Sequence, residues 1–208
     1  MQNLLVFFLG DGTLGSYYIR IYLNSIADKE YISYVERLCR KLFKGASISV
    51  KKKGVENCMQ IQISSIRVVR FLAHMNLKPK KIPEWIYRKN SYIRSCIRGL
   101  FDTEGSISFK VYKTKKNISL YKQLNFRNAN QELMKFIRDS LLLYGFKPTD
   151  TLKRSLYLST HKEIETFRQI IGFSNQKLID KSFIVSWDQF LKLKHKNGEV
   201  GSGYPKWF

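Results

Sequence analysis

Two short apolar runs, each closed by an acid and a glycine, recur within this 208-residue chain. The first reads Leu4-Leu-Val-Phe-Phe-Leu-Gly-Asp-Gly12. The second reads Ile97-Arg-Gly-Leu-Phe-Asp-Thr-Glu-Gly105, which puts Asp11 and Glu104 93 residues apart. A repeat of that period restricts the chain to two similar units, each of which must cover its own apolar face. The stretches after the two runs match as well. Ile19, Ile21 and Leu23 alternate with Tyr18, Arg20, Tyr22 and Asn24, the period of a half-buried strand. Ile107, Phe109 and Val111 alternate with Ser108, Lys110 and Tyr112, and Leu124 and Phe126 with Gln123, Asn125 and Arg127.

A helix follows in each unit. Asp28 precedes the helically spaced Tyr31, Ile32, Val35, Leu38 and Leu42, and Asn130 precedes Leu133, Met134, Ile137 and Leu141. Both acid and amide are favoured N-caps. Gly45 and Gly145 close these helices. A second strand pair comes next, around Ile48, Val50, Met59, Ile61 and Ile63 in one unit and Leu152, Leu156 and Leu158 in the other. Further helices are expected over 66–75 and 162–171. The order is therefore αββαββα, twice, an α+β fold. The expected boundaries are a first repeat over 1–78, a linker at 79–91 marked by Pro79 and Pro83, and a second repeat over 92–181. A C-terminal helix, placed at 181–193, and a tail fill 182–208. From acid to cap is 17 residues in the first unit and 26 in the second, so the first hairpin is shorter by about one strand.

Charge narrows the partner. Lys and Arg total 37 against 16 Asp and Glu, a net +21, and such a surplus repels itself unless a polyanion neutralises it. No apolar run reaches the roughly 20 residues of a membrane span. Leu4–Leu9 has no basic segment before it and no small-residue cleavage site after it, so it reads as part of the fold rather than a leader. Cys39, Cys58 and Cys96 are odd in number and form no C-x-x-C, and His74, His161 and His195 are isolated. Structural zinc and a disulfide framework are poorly supported; a reducing cytoplasm, or whichever compartment holds the host genome, is the expected location.

The two acids carry the chemical signal. A helix C-terminus holds partial negative charge and favours Lys or Arg there. Acids at both helix ends cost electrostatic energy that a shared divalent cation, bound through oxygen ligands, would offset. The alternative is that each acid merely caps a turn before glycine.

These segments resemble the LAGLIDADG homing endonucleases in their single-chain form with two motifs. Gly99, Asp102, Glu104 and Gly105 carry the second motif, and Leu4, Gly10, Asp11 and Gly12 the first, where Val6 replaces the usual glycine. The resemblance implies two pseudo-symmetric repeats, each with a curved antiparallel sheet, packed through their motif helices. It implies a site-specific double-strand endonuclease, encoded in an intron, that hydrolyses phosphodiesters and leaves 3′ overhangs. Mg²⁺, with Mn²⁺ as a substitute, would be held by Asp11 and Glu104 and by the backbone carbonyls of Gly10 and Thr103. No Asp or Glu has Lys two positions later, which argues against the [DE]-x-K nuclease core. The family also contains RNA maturases and non-cleaving DNA-binding proteins, and those readings stay open, as does an intein origin.

Substrate reading is expected on the polar strand faces. These carry Arg20, Tyr22, Asn24, Lys51, Lys53, Gln60 and Gln62 in the first unit. In the second they carry Lys110, Tyr112, Lys113, Tyr121, Gln123, Asn125, Arg127, Lys153 and Tyr157. Arg and Lys suit guanine edges or phosphate, Asn and Gln suit adenine. The expected partner is duplex DNA with a long asymmetric site, bound by a monomer, with host intron RNA a second partner in the maturase reading. A solvated polar face is the alternative for any single residue.

Overall fold

The computed structural model describes residues 12–26, 28–54, 57–75, 81–113, 118–151 and 154–196. The first motif helix, with Gly10 and Asp11, lies outside these residues, as does Lys153; the Lys113 side chain is likewise not described.

The two repeats build the same sheet. In the first, β1 (Gly12–Leu14), β2 (Tyr18–Asn24), β3 (Ser47–Lys52) and β4 (Cys58–Ser64) stand in the order β1-β2-β4-β3. In the second, β5 (Gly105–Lys113), β6 (Ile118–Arg127), β7 (Thr149–Thr151) and β8 (Ser155–Leu158) stand in the order β5-β6-β8-β7. Every neighbouring pair is antiparallel. The expected inequality is present: the first hairpin has a three-residue arm, the second a nine-residue one.

Alternation decides which face each sheet buries. Ile19, Ile21, Ile61 and Ile63 are fully covered on one side of the first sheet by α1 (Lys29–Leu42) and α2 (Ile66–His74). Val35, Cys39, Val69 and Leu72 supply the helical half of that core. In the second repeat α4 (Gln131–Leu143) and α5 (His161–Ile170) cover Leu124, Phe126, Leu156 and Leu158 in the same way. The second motif forms α3 (Asn90–Glu104), whose Ile93, Ile97, Leu100 and Phe101 enter this core. Trp85, in a short 3-10 turn (Glu84–Arg88) of the linker, packs against both cores and donates its indole N–H to the Met75 carbonyl at 3.3 Å. Cys39 and Cys96 are buried and all three cysteines are free.

Local signals explain most ends. The Asn130 side chain accepts from the Glu132 and Leu133 amides, as expected of an N-cap. Gly45 and Gly145 take φ of 83° and 81°, the left-handed conformation that lets a helix stop without a Cβ clash. Asp28 sits at the N-cap position of α1, but its side chain makes no capping bond. It is used elsewhere, at the seam described below.

The helix expected over 181–193 is instead two. Asn175 caps α6 (Gln176–Ser182), and after a break α7 (Trp187–Lys196) begins. Ser186 Oγ accepts from the Gln189 amide while Gln189 Oε1 accepts from the Val185 and Ser186 amides. That reciprocal cap starts a new helix and outweighs the continuous apolar spacing. Phe190 of α7 lies 5.0 Å, centroid to centroid, from Phe109 of β5. Among the described residues no helix is long and apolar enough to cross a membrane.

Candidate metal and nucleic-acid site

Each motif acid immediately precedes the first strand of its sheet. Glu104 is the last residue of α3 and Gly105 the first of β5. The glycine is required because a Cβ there would run into the Phe101 carbonyl and ring. Its amide also donates to that Phe101 carbonyl, closing the helix. Glu104 is half-buried, and no Lys or Arg occupies the last turn of α3. Asn128, just beyond β6, donates its side-chain amide to Glu104 Oε2 and accepts from the Asn130 amide at 2.7 Å. Asn128 was not among the sequence candidates. Thr103 Oγ1 donates back to the Gly99 and Leu100 carbonyls at 3.2 Å.

The repeats are not equal at this point. Gly12 pairs with Ile21 as Gly105 pairs with Phe126. The register position matching Asn128 is therefore Leu23, which is buried and cannot donate.

Carboxylate oxygen is the donor type a hard divalent cation takes; among the described residues no group of three or more His, Cys, Asp or Glu stands together as a metal site. Glu104 offers carboxylate oxygen at a helix end whose dipole is already negative, where a divalent cation would offset the charge. Gly10 and Asp11, the other expected ligands, lie outside the described residues.

Behind Glu104 lies a polar knot that sequence reasoning did not find. Asp102, 4% exposed, accepts from the Ser174 amide at 2.9 Å and the Asn175 amide at 3.1 Å. Asn175 Nδ2 donates to the Asp102 carbonyl at 3.0 Å and to Asp28 Oδ1 at 3.3 Å, and its Oδ1 accepts from the Lys177 amide. Asp28 Oδ2 accepts from the Asn24 amide. The end of α3, the start of α6 and the start of α1 thus meet at one amide. Burial pushes the Asp102 carboxyl up to about 7, with the Ser174 and Asn175 hydrogen bonds and Arg98 drawing it back. A cavity of about 390 Å³ opens here, lined by Tyr22, Asn24, Asp28, Asn57, Asp102 and Thr103 among others.

The polar faces of the two sheets carry most of the remaining candidates. In the first, cross-strand pairing sets Arg20 beside Gln62 and Tyr22 beside Gln60 beside Lys51. Arg20 Nε donates to Gln62 Oε1 at 2.9 Å, and its guanidinium lies 3.9 Å from the Tyr18 ring centroid. Asn24, Lys51 and Lys53 are exposed. In the second, Lys110 pairs with Tyr121, Ser108 with Gln123, and Asn125 with Tyr157. Lys110, Tyr112, Tyr121 and Arg127 are exposed, and the Tyr112 and Tyr121 rings meet edge-on at 4.9 Å.

Gln60 departs from expectation: it is 6% exposed, packed beneath its neighbours rather than displayed. Among the described residues, Gln60 Oε1 and Asn125 Oδ1 are buried acceptors without a hydrogen-bond partner. Each sheet therefore holds one unsatisfied amide oxygen on its polar side, a group that costs free energy until it meets a donor.

Comparison with known proteins agrees with this architecture. Residues 91–172 match the family model described as a LAGLIDADG-like domain. No curated protein matches by sequence. Among solved structures, I-DmoI in complex with DNA and Mn is 18% identical, with a TM-score of 0.57 over 82% of this chain and 94% of that one. The LAGLIDADG meganuclease I-AabMI bound to uncleaved DNA is 12% identical, with a TM-score of 0.59 over 96% and 98%. The I-LtrWI LAGLIDADG homing endonuclease bound to target DNA is also 12% identical, with a TM-score of 0.58 over 97% and 98%. The chain carries a LAGLIDADG-like domain and, across both repeats, has the pseudo-symmetric fold of the LAGLIDADG homing endonucleases.

Proposed function

We propose that this protein is a site-specific, metal-dependent double-strand DNA endonuclease of the homing type, working as a monomer. The observation that carries the reading is the placement of Glu104. It stands at a helix end with no cation in its last turn, held by the neutral amide of Asn128, where the second polar sheet begins. Asp11, directly before β1, is the second acid. Mg²⁺ or Mn²⁺ bound by these carboxylates, with the Gly10 and Thr103 carbonyls, would lower the cost of negative charge on the scissile phosphate.

The protein's own part is positioning. The sheets lie along the duplex, with Arg20, Lys51, Lys53, Lys110 and Arg127 neutralising phosphate or reading guanine. Gln62, Gln123 and Asn125 are the amides of these faces whose chemistry suits adenine, and each would exchange a present partner for the base. Cleavage across the minor groove leaves 3′ overhangs, and intron encoding belongs to the same reading.

The test is cleavage of DNA spanning the intronless insertion site, with Mg²⁺ and with chelator. Asp11→Asn and Glu104→Gln are expected to abolish cutting while DNA binding in Ca²⁺ persists. Undiminished cutting by both variants places the chemistry elsewhere. Specific RNA binding without any DNA cleavage establishes the maturase reading instead.

A further inference from the structure

The first hairpin of the second sheet runs on past the strand that flanks it. β8 pairs with β6 at residues 124–127, whereas β5 pairs with β6 along the whole of Gly105–Lys113. Residues 108–113 and 118–123 therefore continue as a two-stranded ribbon. Such a ribbon is marginal in water unless something packs on one of its faces. The first unit has no counterpart, because β4 pairs with β2 along all of Tyr18–Asn24 and β1 adds three residues.

Alternation puts Phe109, Val111, Leu120 and Lys122 on the core side of the ribbon, and Lys110, Tyr112 and Tyr121 on the other. The cover for the core side comes from α6, which lies along β5, and α7, which lies along β6. Phe190 of α7 meets Phe109. Lys122, opposite Phe109 and 2% exposed, donates its ammonium at 2.5 Å to the carbonyl of Ser182, the last residue of α6. That carbonyl is one a helix end cannot satisfy by itself. An apolar side chain is the expected occupant of this position, in line with Leu124 and Phe126. Burial instead holds the Lys122 amino group below the ordinary lysine range, with Glu165 opposing the shift and Arg168 adding to it. A buried ammonium is costly away from its acceptor, so the contact admits one placement, where apolar packing alone lets the ribbon slide. The corner it grips is also held from α5, whose Arg168 guanidinium lies 4.2 Å from the Phe183 ring centroid, and by the buried Ile184.

We propose that Lys122 is a positioning residue for DNA reading, through which the corner between α6 and α7 aims the protruding ribbon. The inference rests on the DNA-endonuclease reading above. The far side of the ribbon carries Lys110, Tyr112 and Tyr121 to the outer part of one half-site. Lys110 and Tyr112 stand six and eight residues beyond Glu104. At the rise of a strand that is roughly 20–26 Å, or about six to eight base pairs from the point of cutting. A tilt about Lys122 moves these side chains against the base edges and leaves Glu104 where it is. Loosening the corner therefore costs specificity locally, at one end of the target.

The test selects duplexes from a randomised DNA library in Ca²⁺ with the parent, Lys122→Met, Phe190→Ala and, as a surface-charge control, Lys162→Met. The parent is expected to enrich one asymmetric consensus. Lys122→Met and Phe190→Ala should keep its centre and one half intact. At the outer positions of the other half they should lose preference, by roughly tenfold per base pair. Lys162→Met should keep the whole consensus. In Mg²⁺, Lys122→Met should cut saturating DNA within about twofold of the parental rate, while the half-saturating DNA concentration rises about tenfold. Without DNA, the amides of 108–113 and 118–123 should exchange roughly tenfold faster in both variants, and those of 105–107 and 124–127 at the parental rate. A consensus that Lys122→Met reproduces at every position, preference lost evenly from both halves, or ribbon exchange equal to the parent's would each overturn this inference alone. A parent that enriches no sequence removes the site-specific reading itself, and this inference with it. If Lys122→Met does not fold, Phe190→Ala decides by the same outcomes.

Discussion

Asn175 reaches across the seam between the repeats to Asp28, its side-chain amide 3.3 Å from the carboxylate of a residue 147 positions away. The same amide group donates to the Asp102 carbonyl, and the Asn175 backbone N–H donates to the Asp102 carboxylate. A single buried asparagine therefore ties the end of the second motif helix to the start of α1. Through the short turn at Asn24 it also reaches strand β2.

Removing that asparagine leaves buried partners unsatisfied. Asn175→Ala is expected to cost about 2–3 kcal/mol of folding stability, combining a lost helix cap with orphaned groups. Asp28→Ala, at a half-exposed position, should cost under about 1 kcal/mol. The two should be non-additive by about 0.5 kcal/mol or more in urea unfolding. Strict additivity would mean that the bond across the seam contributes nothing.

Asn128 is expected to act on Glu104 rather than on the fold. Asn128→Leu, which installs the side chain found at the matching register of the first sheet, should slow single-turnover cleavage by roughly 10- to 100-fold. DNA affinity in Ca²⁺ should stay within about twofold, because Asn128 reaches the carboxylate and not a base. Asn128→Asp would set a second negative charge beside Glu104 and lower the divalent-ion concentration needed for half-maximal rate. Unchanged metal dependence in that variant would dissociate Asn128 from the site.

Asp102 gives the protein a pH signature. Its carboxyl, pushed up to about 7 mainly by burial, lies above the ordinary aspartate value of 3.8. Such a group favours the folded state when protonated. Its contribution is complete below the ordinary value and is lost as pH rises through about 7. Stability without divalent ions should therefore fall between about pH 4 and about pH 7, and Asp102→Asn should flatten part of that fall while lowering the baseline. Parallel pH profiles for parent and variant in urea unfolding would rule the assignment out.

Gly105 is needed for close approach. Gly105→Ala should destabilise the protein by about 2 kcal/mol or more, because the methyl meets backbone rather than a side chain that can swing away. Cleavage should fall further than stability alone explains, since the same bend sets the direction of Glu104. A variant as stable and active as the parent would show that α3 and β5 join with more room than the geometry allows.

The sequence alone determined the repeat, the strand faces, the shorter first hairpin and the pairing of two motif acids with two sheets. These are set by local periodicity, and by glycines whose role depends only on the residues beside them. Caps were legible where the side chain serves its own helix, as at Asn130, and misleading at Asp28, whose carboxylate is taken by a residue from the other end of the chain. Gln60 was read on the polar face because alternation fixes which side a residue points to, but alternation says nothing about how deeply its neighbours cover it. Asn128, Asn175 and the elevated carboxyl of Asp102 depended on tertiary structure. Their roles come from partners brought together by folding and from water excluded around them, and neither distance nor dielectric is written in the order of residues.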